Sequence, residues 1–156
     1  MARKRNFIYV AGPYCGPNPH DHRSYFRIHE NIMRAHEVAL ALASLGYGFF
    51  CPHTHSSHNE VIVPHLPAAY WYELDNHFLA ACDAILVLSG ESAGVQAEIA
   101  LAYSLEIPVF FSIVDLVNAI PPFEGTGAKT LAEFIAALPL EEQRAIKEQR
   151  ESMNGC

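Results

Sequence analysis

Positive charge is scarce in this chain: ten lysines and arginines stand against seventeen aspartates and glutamates, a formal net charge of -7. A protein that grips a phosphate backbone needs a basic stripe, so nucleic acid is not an expected partner. Long apolar runs are missing too. No stretch approaches the roughly 20 residues that span a bilayer, and the run from Phe7 to Ala11 behind the basic start at Met1 to Arg5 is too short for a secretory signal. No membrane partner is expected. The four cysteines, Cys15, Cys51, Cys82 and Cys156, form no C-x-x-C pair, which predicts free thiols and a cytoplasmic protein in place of a disulfide framework. No local signature marks one of them as a nucleophile. With no internal repeat either, residues 1–156 are expected to form one domain, with a core over about 6–138 and a charged segment over 140–156.

What is there is an alternation of short apolar runs with longer amphipathic ones. Asn6 to Ala11 predicts a first strand, halted by Gly12-Pro13, and the proline-rich stretch 14–22 a loop over its end. From Ser24 to Leu45 the apolar residues Phe26, Ile32, Ala35, Val38, Ala39, Leu42 and Leu45 recur at helical spacing, with Gly46 as a stop. Tyr47 to Cys51 predicts a second strand closed by Pro52, and a histidine-rich loop runs from there to about Pro64. Pro67 opens a helix with Tyr70, Trp71, Leu74, Phe78, Leu79 and Cys82 as its buried stripe. A strand over 84–88, a helix from Ser92 to about Glu106 and a strand from Ile107 to Ile113 follow. Residues 114–128 are expected to be loop and Lys129 to Leu138 helix. Such alternation needs right-handed crossovers, so the predicted fold is α/β, a three-layer sandwich with a flavodoxin-like or Rossmann-like, mostly parallel sheet of four to five strands.

The segment from Asp83 to Ala102 carries the chemistry. Five apolar residues after Asp83 make an interior strand, and Ser92 is placed to cap the helix that leaves its carboxyl end. Backbone N–H groups and the positive end of the helix dipole meet there, where anions bind in such folds. Glu98 sits among Val95, Ile99, Ala100 and Ala102, small and apolar neighbours beside which a carboxylate belongs only if it faces a polar cleft.

Three pieces, the Tyr9-Val-Ala-Gly12-Pro13 turn, the Asp75 to Asp83 spacing and the Ser92-Ala-Gly94 to Glu98 helix start, together resemble the nucleoside 2-deoxyribosyltransferase superfamily over roughly residues 7–113. The resemblance implies chemistry at an N-glycosidic bond, with Glu98 as nucleophile on the anomeric carbon and Asp75 orienting it or handing a proton to the departing base. In the transferase branch the position of Ser92 is commonly an aspartate that recognises a free 5′-hydroxyl. A serine there resembles the branch that hydrolyses nucleoside 5′-monophosphates, where it helps hold the phosphate. Hydrolysis of a (deoxy)ribonucleoside 5′-monophosphate is therefore the expected activity, with base exchange by a deoxyribosyltransferase, or a nucleotide-binding module without turnover, as alternatives. The implied partners are a small nucleotide or nucleoside and further copies of the chain, in a homodimer or larger homo-oligomer with the helix from Tyr70 to Phe78 as contact surface. No cofactor is implied.

Other residues keep two readings. Ser92 caps its helix, holds a phosphate, or does both. Gly12 and Gly94 let backbone approach a ligand or simply suit a turn. Tyr9 faces the site or the core, and Asp83 fixes local structure. His53, His55 and His58 give a rival signal, because H-x-H on an extended segment puts two imidazoles on one face, as a metal site needs. Their spacing matches no standard zinc pattern, so His53 is taken as a substrate-binding residue and no metal is expected. Trp71 and Tyr70 are assigned to the core.

Overall fold

The computed structural model describes residues 6–15 and 24–122, with positions 140, 141, 143, 144, 147 and 148. Four strands form one sheet, β1 (Phe7–Ala11), β2 (Gly48–Phe50), β3 (Ala84–Val87) and β4 (Val109–Phe110). Every pairing is parallel and the order is β2-β1-β3-β4. The chain thus reverses its winding between β1 and β3. In open α/β sheets the crevice outside the carboxyl ends of two such strands is where ligands bind.

Alternation along β1 and β3 sorts the side chains into two layers. Ile8, Val10, Ala84 and Leu86 face α1 (Ser24–Ser44), which supplies Ala35, Ala39 and Leu42, and α6 (Ile113–Ala119), which supplies Leu116. Tyr9, Ala11, Ile85 and Val87 face α4 (Ala68–Ala80) and α5 (Ala93–Ser104) through Leu79, Val95 and Ala102. The α/β three-layer architecture is therefore the one the sequence predicts.

At its amino end β1 is tied to the start of β3 twice. The Phe7 N–H donates to an Asp83 carboxylate oxygen at 2.8 Å, and the Asp83 N–H donates to the Phe7 carbonyl at 2.7 Å. Asp83 thus fixes local structure, at the end of the strands away from the crevice.

Several elements differ from expectation. The histidine-rich stretch is not plain loop: Pro52 at the first turn opens α2 (Pro52–His55), and α3 (Asn59–Ile62) follows. The last strand is only two residues long, and the chain turns helical at Ile113 where a strand was expected to end and a loop to begin. Ser112 causes the switch, accepting from the Asp115 N–H at 3.1 Å and donating to its carboxylate at 2.7 Å, a cap that makes a helix the better outlet for Ile113, Leu116 and Val117. The supposed buried stripe of α4 is mostly not buried. Only Leu79 is fully covered, while Tyr70 and Phe78 are exposed and Phe78 stacks on Phe50 with ring centroids 4.0 Å apart. The helix expected over 129–138 lies outside the described residues. Among those described, no helix is long and apolar enough to cross a membrane.

Candidate active site

A cavity of about 600 Å³ opens at the switch point, over the carboxyl ends of β1 and β3 and between α2, α4 and α5. Gly12, His53, Asp75, Ser92, Gly94 and Glu98 all line it. Tyr9 does not line it but reaches it from beneath.

That reach is the central contact of the site. Tyr9 is wholly buried on the α4/α5 side of β1, and its hydroxyl donates to Glu98 Oε1 at 2.6 Å. The two readings of Tyr9 therefore merge, with the ring in the core and the hydroxyl on the carboxylate. Burial pushes the Glu98 carboxyl up to about 7; the Tyr9 hydrogen bond opposes that rise and the nearby Asp75 charge adds to it. Asp75, on the second half of α4, is pushed up to about 6 by burial, against a downward pull from His55. Burial and the Glu98 charge hold the Tyr9 hydroxyl far above the usual phenol range, so it remains a donor. Two carboxyl groups poised near neutrality beside each other in a cleft make proton transfer and nucleophilic attack available to one ligand.

The remaining residues shape the walls. Ser92 is the N-cap of α5 and accepts from the Val95 N–H at 3.4 Å, which leaves its own hydroxyl proton to donate. A Cβ on Gly12 would lie 3.1 Å from Leu88 Cδ1, so glycine lets the β1 turn sit close against the end of β3. Gly90 holds the neighbouring turn at φ +127°, and a Cβ there would come within 2.6 Å of Pro13. At Gly94 a Cβ would meet only ordinary contacts with Tyr72, so close packing does not require glycine there. His53 is 4% exposed, and its Nε2 is 2.9 Å from the Pro13 carbonyl. Burial lowers its pKa, with the Pro13 hydrogen bond acting against that.

No protein-family model and no curated protein matches this chain. Among solved structures it is similar to the 2-deoxyribosyltransferase of the psychrotolerant bacterium Bacillus psychrosaccharolyticus, with 18% sequence identity and a TM-score of 0.47, over 71% of this chain and 78% of that chain.

The cavity also contains residues that sequence reasoning did not select. Trp71, assigned to the core, lines it together with Tyr72, because the wide arc of α4 that carries Asp75 also carries them. Tyr14 lines it as well; its hydroxyl donates to Glu60 at 3.0 Å and accepts from the His58 N–H at 2.9 Å, tying the β1 loop to α3. Glu60 and Glu91 complete a set of four carboxylates with Asp75 and Glu98, and among the described residues no lysine or arginine lines the cavity. No cluster of three or more histidine, cysteine, aspartate or glutamate side chains among the described residues is arranged to hold a metal ion.

Proposed function

We propose that this chain transfers the sugar of an unphosphorylated nucleoside from one base to another through a covalent intermediate on Glu98. The observation that carries this reading is the charge of the cavity. Four carboxyl groups, three of them ionised when the Asp75 and Glu98 pair holds one proton, with no described lysine or arginine among the lining residues, would repel a dianionic 5′-phosphate, whereas a neutral nucleoside meets no such barrier. A 5′-hydroxyl is met instead by acceptors such as Glu91, adjacent to Ser92 in the α5 turn.

The Glu98 carboxylate attacks the anomeric carbon, the bond to the base nitrogen breaks, and its electron pair leaves with the base. Asp75 delivers the proton the leaving nitrogen needs. In the second half the entering base gives its proton to Asp75 and its nitrogen displaces Glu98, restoring both carboxyl groups. A largely apolar wall with Val10, Leu66, Trp71, Tyr72 and Val95 favours a flat base over water as the acceptor. The working state of the pair holds one proton, on Asp75, and because Glu98 is pushed higher than Asp75 this is the less populated of the two singly protonated forms. Activity is therefore expected to peak between the two values of about 6 and about 7, which belong to the pair jointly.

Hydrolysis of a 5′-monophosphate is the second reading, favoured by the Ser92 hydroxyl at the positive end of α5. A chromatographic assay of nucleosides and their 5′-monophosphates, with and without a second base, separates the two. Base exchange on nucleosides alone supports the proposal. Release of base from monophosphates into water replaces it with the second reading, and no reaction with any substrate leaves a binding module.

Tyr9 has a testable part in this scheme. Tyr9→Phe deletes the hydrogen bond that favours ionised Glu98, so the proton moves from Asp75 towards Glu98. The maximal kcat/KM is expected to fall about tenfold and the alkaline limb to move to higher pH, as loss of one hydrogen bond to a charged group implies. An unchanged limb would deny Tyr9 any hold on the nucleophile.

A further inference from the structure

The H-x-H of the histidine-rich stretch is not a pair in the folded chain. Residues two apart on a helix do not face each other, so α2 parts the two imidazoles that an extended segment would set side by side. His53 is buried, with its ring edge-on to Tyr14 at 5.6 Å between centroids. His55 is exposed, and its ring lies against Phe50 and Phe78 with centroids 5.3 Å and 5.5 Å away, while those two phenyl rings stack on each other at 4.0 Å.

That seat ties His55 to both reacting carboxyl groups. Phe78 follows Asp75 by three positions on α4, about one turn along the same face. Phe50 also meets the ring of Tyr9, at 5.7 Å, whose hydroxyl holds Glu98. Among the described residues the titratable groups coupled to Asp75 are Tyr9 from β1, Cys51 just after β2, His55 from α2 and Glu98 from α5. Of these only His55 can carry a positive charge. From α1, which also packs against α2, Arg34 acts on His53. Burial raises the Asp75 carboxyl to about 6 and the His55 charge pulls against that rise, whereas His55 is not among the groups that act on Glu98.

We propose that His55 is a positioning residue for the shared proton: from its seat on Phe50 and Phe78, the charged imidazole drives that proton from Asp75 to Glu98, and the neutral imidazole lets it return to Asp75. The inference rests on the proposed transfer chemistry and adds a control of that chemistry by pH. Asp75 must hold the proton for the base to leave, so a charged His55 lowers the share of singly protonated molecules that are ready to react. Histidine is the side chain whose charge changes near neutral pH, which makes it suited to the task.

Two substitutions with opposite consequences for charge test the proposal. His55→Phe keeps a ring for the Phe50 and Phe78 contacts and cannot be charged. His55→Arg carries a permanent charge on a planar group that also stacks on aromatic rings. The Asp75 carboxyl carbon, followed by NMR in ¹³C-labelled protein without substrate, is expected to titrate about 0.5 pH higher in His55→Phe, a size typical of one partly exposed charge, and at lower pH than wild type in His55→Arg. The maximal kcat/KM for base exchange should rise about twofold to threefold in the first variant and fall in the second. On the acid arm His55→Phe and wild type should converge, because there the limiting event is ionisation of Glu98 beside a protonated Asp75, which His55 does not touch. Changes of the same sign in both variants, or an equal loss at every pH, would reduce His55 to a packing contact and overturn the proposal. The NMR titration needs no turnover, so it separates this inference from the reading on which it rests. Opposite displacements of Asp75 in a chain that exchanges no base keep the His55 coupling and overturn the transfer chemistry. Base exchange with the Asp75 titration unmoved in both variants keeps the transfer and overturns the role of His55.

Discussion

Glu98→Gln is expected to abolish base exchange, with a loss on the order of 10⁴ in kcat or more, and to make the protein more stable. The two effects have one source. Glu98 is largely but not fully buried and has no cationic partner among the interactions that set its pKa, so ionising it in the folded chain is unfavourable and its pKa rises from 4.5 to about 7. The folded state therefore holds this proton more tightly than the unfolded state. The contribution of Glu98 to stability is greatest below about pH 4.5, declines as pH rises to about 7, and is level above. The span corresponds to about 3 kcal/mol at full effect. Glutamine keeps an oxygen for the Tyr9 hydroxyl and has no charge to desolvate, so Glu98→Gln should gain most of that amount at pH 8 and almost nothing at pH 4. Denaturant titrations at the two pH values measure it. Equal stability of variant and wild type at pH 8 would mean that water reaches the carboxylate freely. Mass spectrometry of the acid-quenched wild type should also find one glycosyl adduct on the peptide containing Glu98, absent from the variant.

Asp75→Asn is the second large effect. Loss of a positioned general acid lowers kcat/KM by about 10² to 10⁴ when the leaving group must be protonated. The loss should nearly vanish with a 4-nitrophenyl deoxyriboside, whose leaving group departs as a stable anion. The pH profile should change shape as well. With Asp75 present one proton must be retained, which gives a bell; without it Glu98 need only ionise, which gives a single rise to a plateau. Removing the Asp75 charge also lowers the pKa of Glu98, so the rise should lie below about 7. An equal loss on both leaving groups with the bell intact would make Asp75 a positioning residue for the sugar.

The parts of this site that were legible in the sequence are those whose signal is local. Ala84 to Leu88 is apolar without interruption, which only an interior strand of a covered sheet tolerates, and Ser92 stands where a cap belongs. Glu98 stood out because its neighbours are small and apolar. The bond from Tyr9 to Glu98 joins residues 89 positions apart and leaves no trace in spacing. Trp71 shows a second limit: a helix face turned to a cleft has the same period as one turned to a core, so periodicity cannot tell a lined cavity from a filled interior. The run from Ile107 to Ile113 was ambiguous for a related reason, since a short apolar stretch suits strand or helix, and the cap at Ser112 decided it.

Tyr9 lies between Ile8 and Val10, and those neighbours face the opposite layer of the sheet. Sliding β1 by one position along β3 would turn the tyrosine hydroxyl into the apolar layer beneath α1 and leave an aliphatic side chain under Glu98. A molecule folded in that frame could keep its helices and its compactness and still leave Glu98, the proposed nucleophile, without its tyrosine partner. Under the proposed chemistry, recovered rate therefore reports strand alignment after refolding, and the paired Phe7 and Asp83 bonds at the far end of the strand act as its index mark. Asp83→Ala should accordingly reduce the fraction of refolded chains that recover activity more than it reduces recovered helical signal.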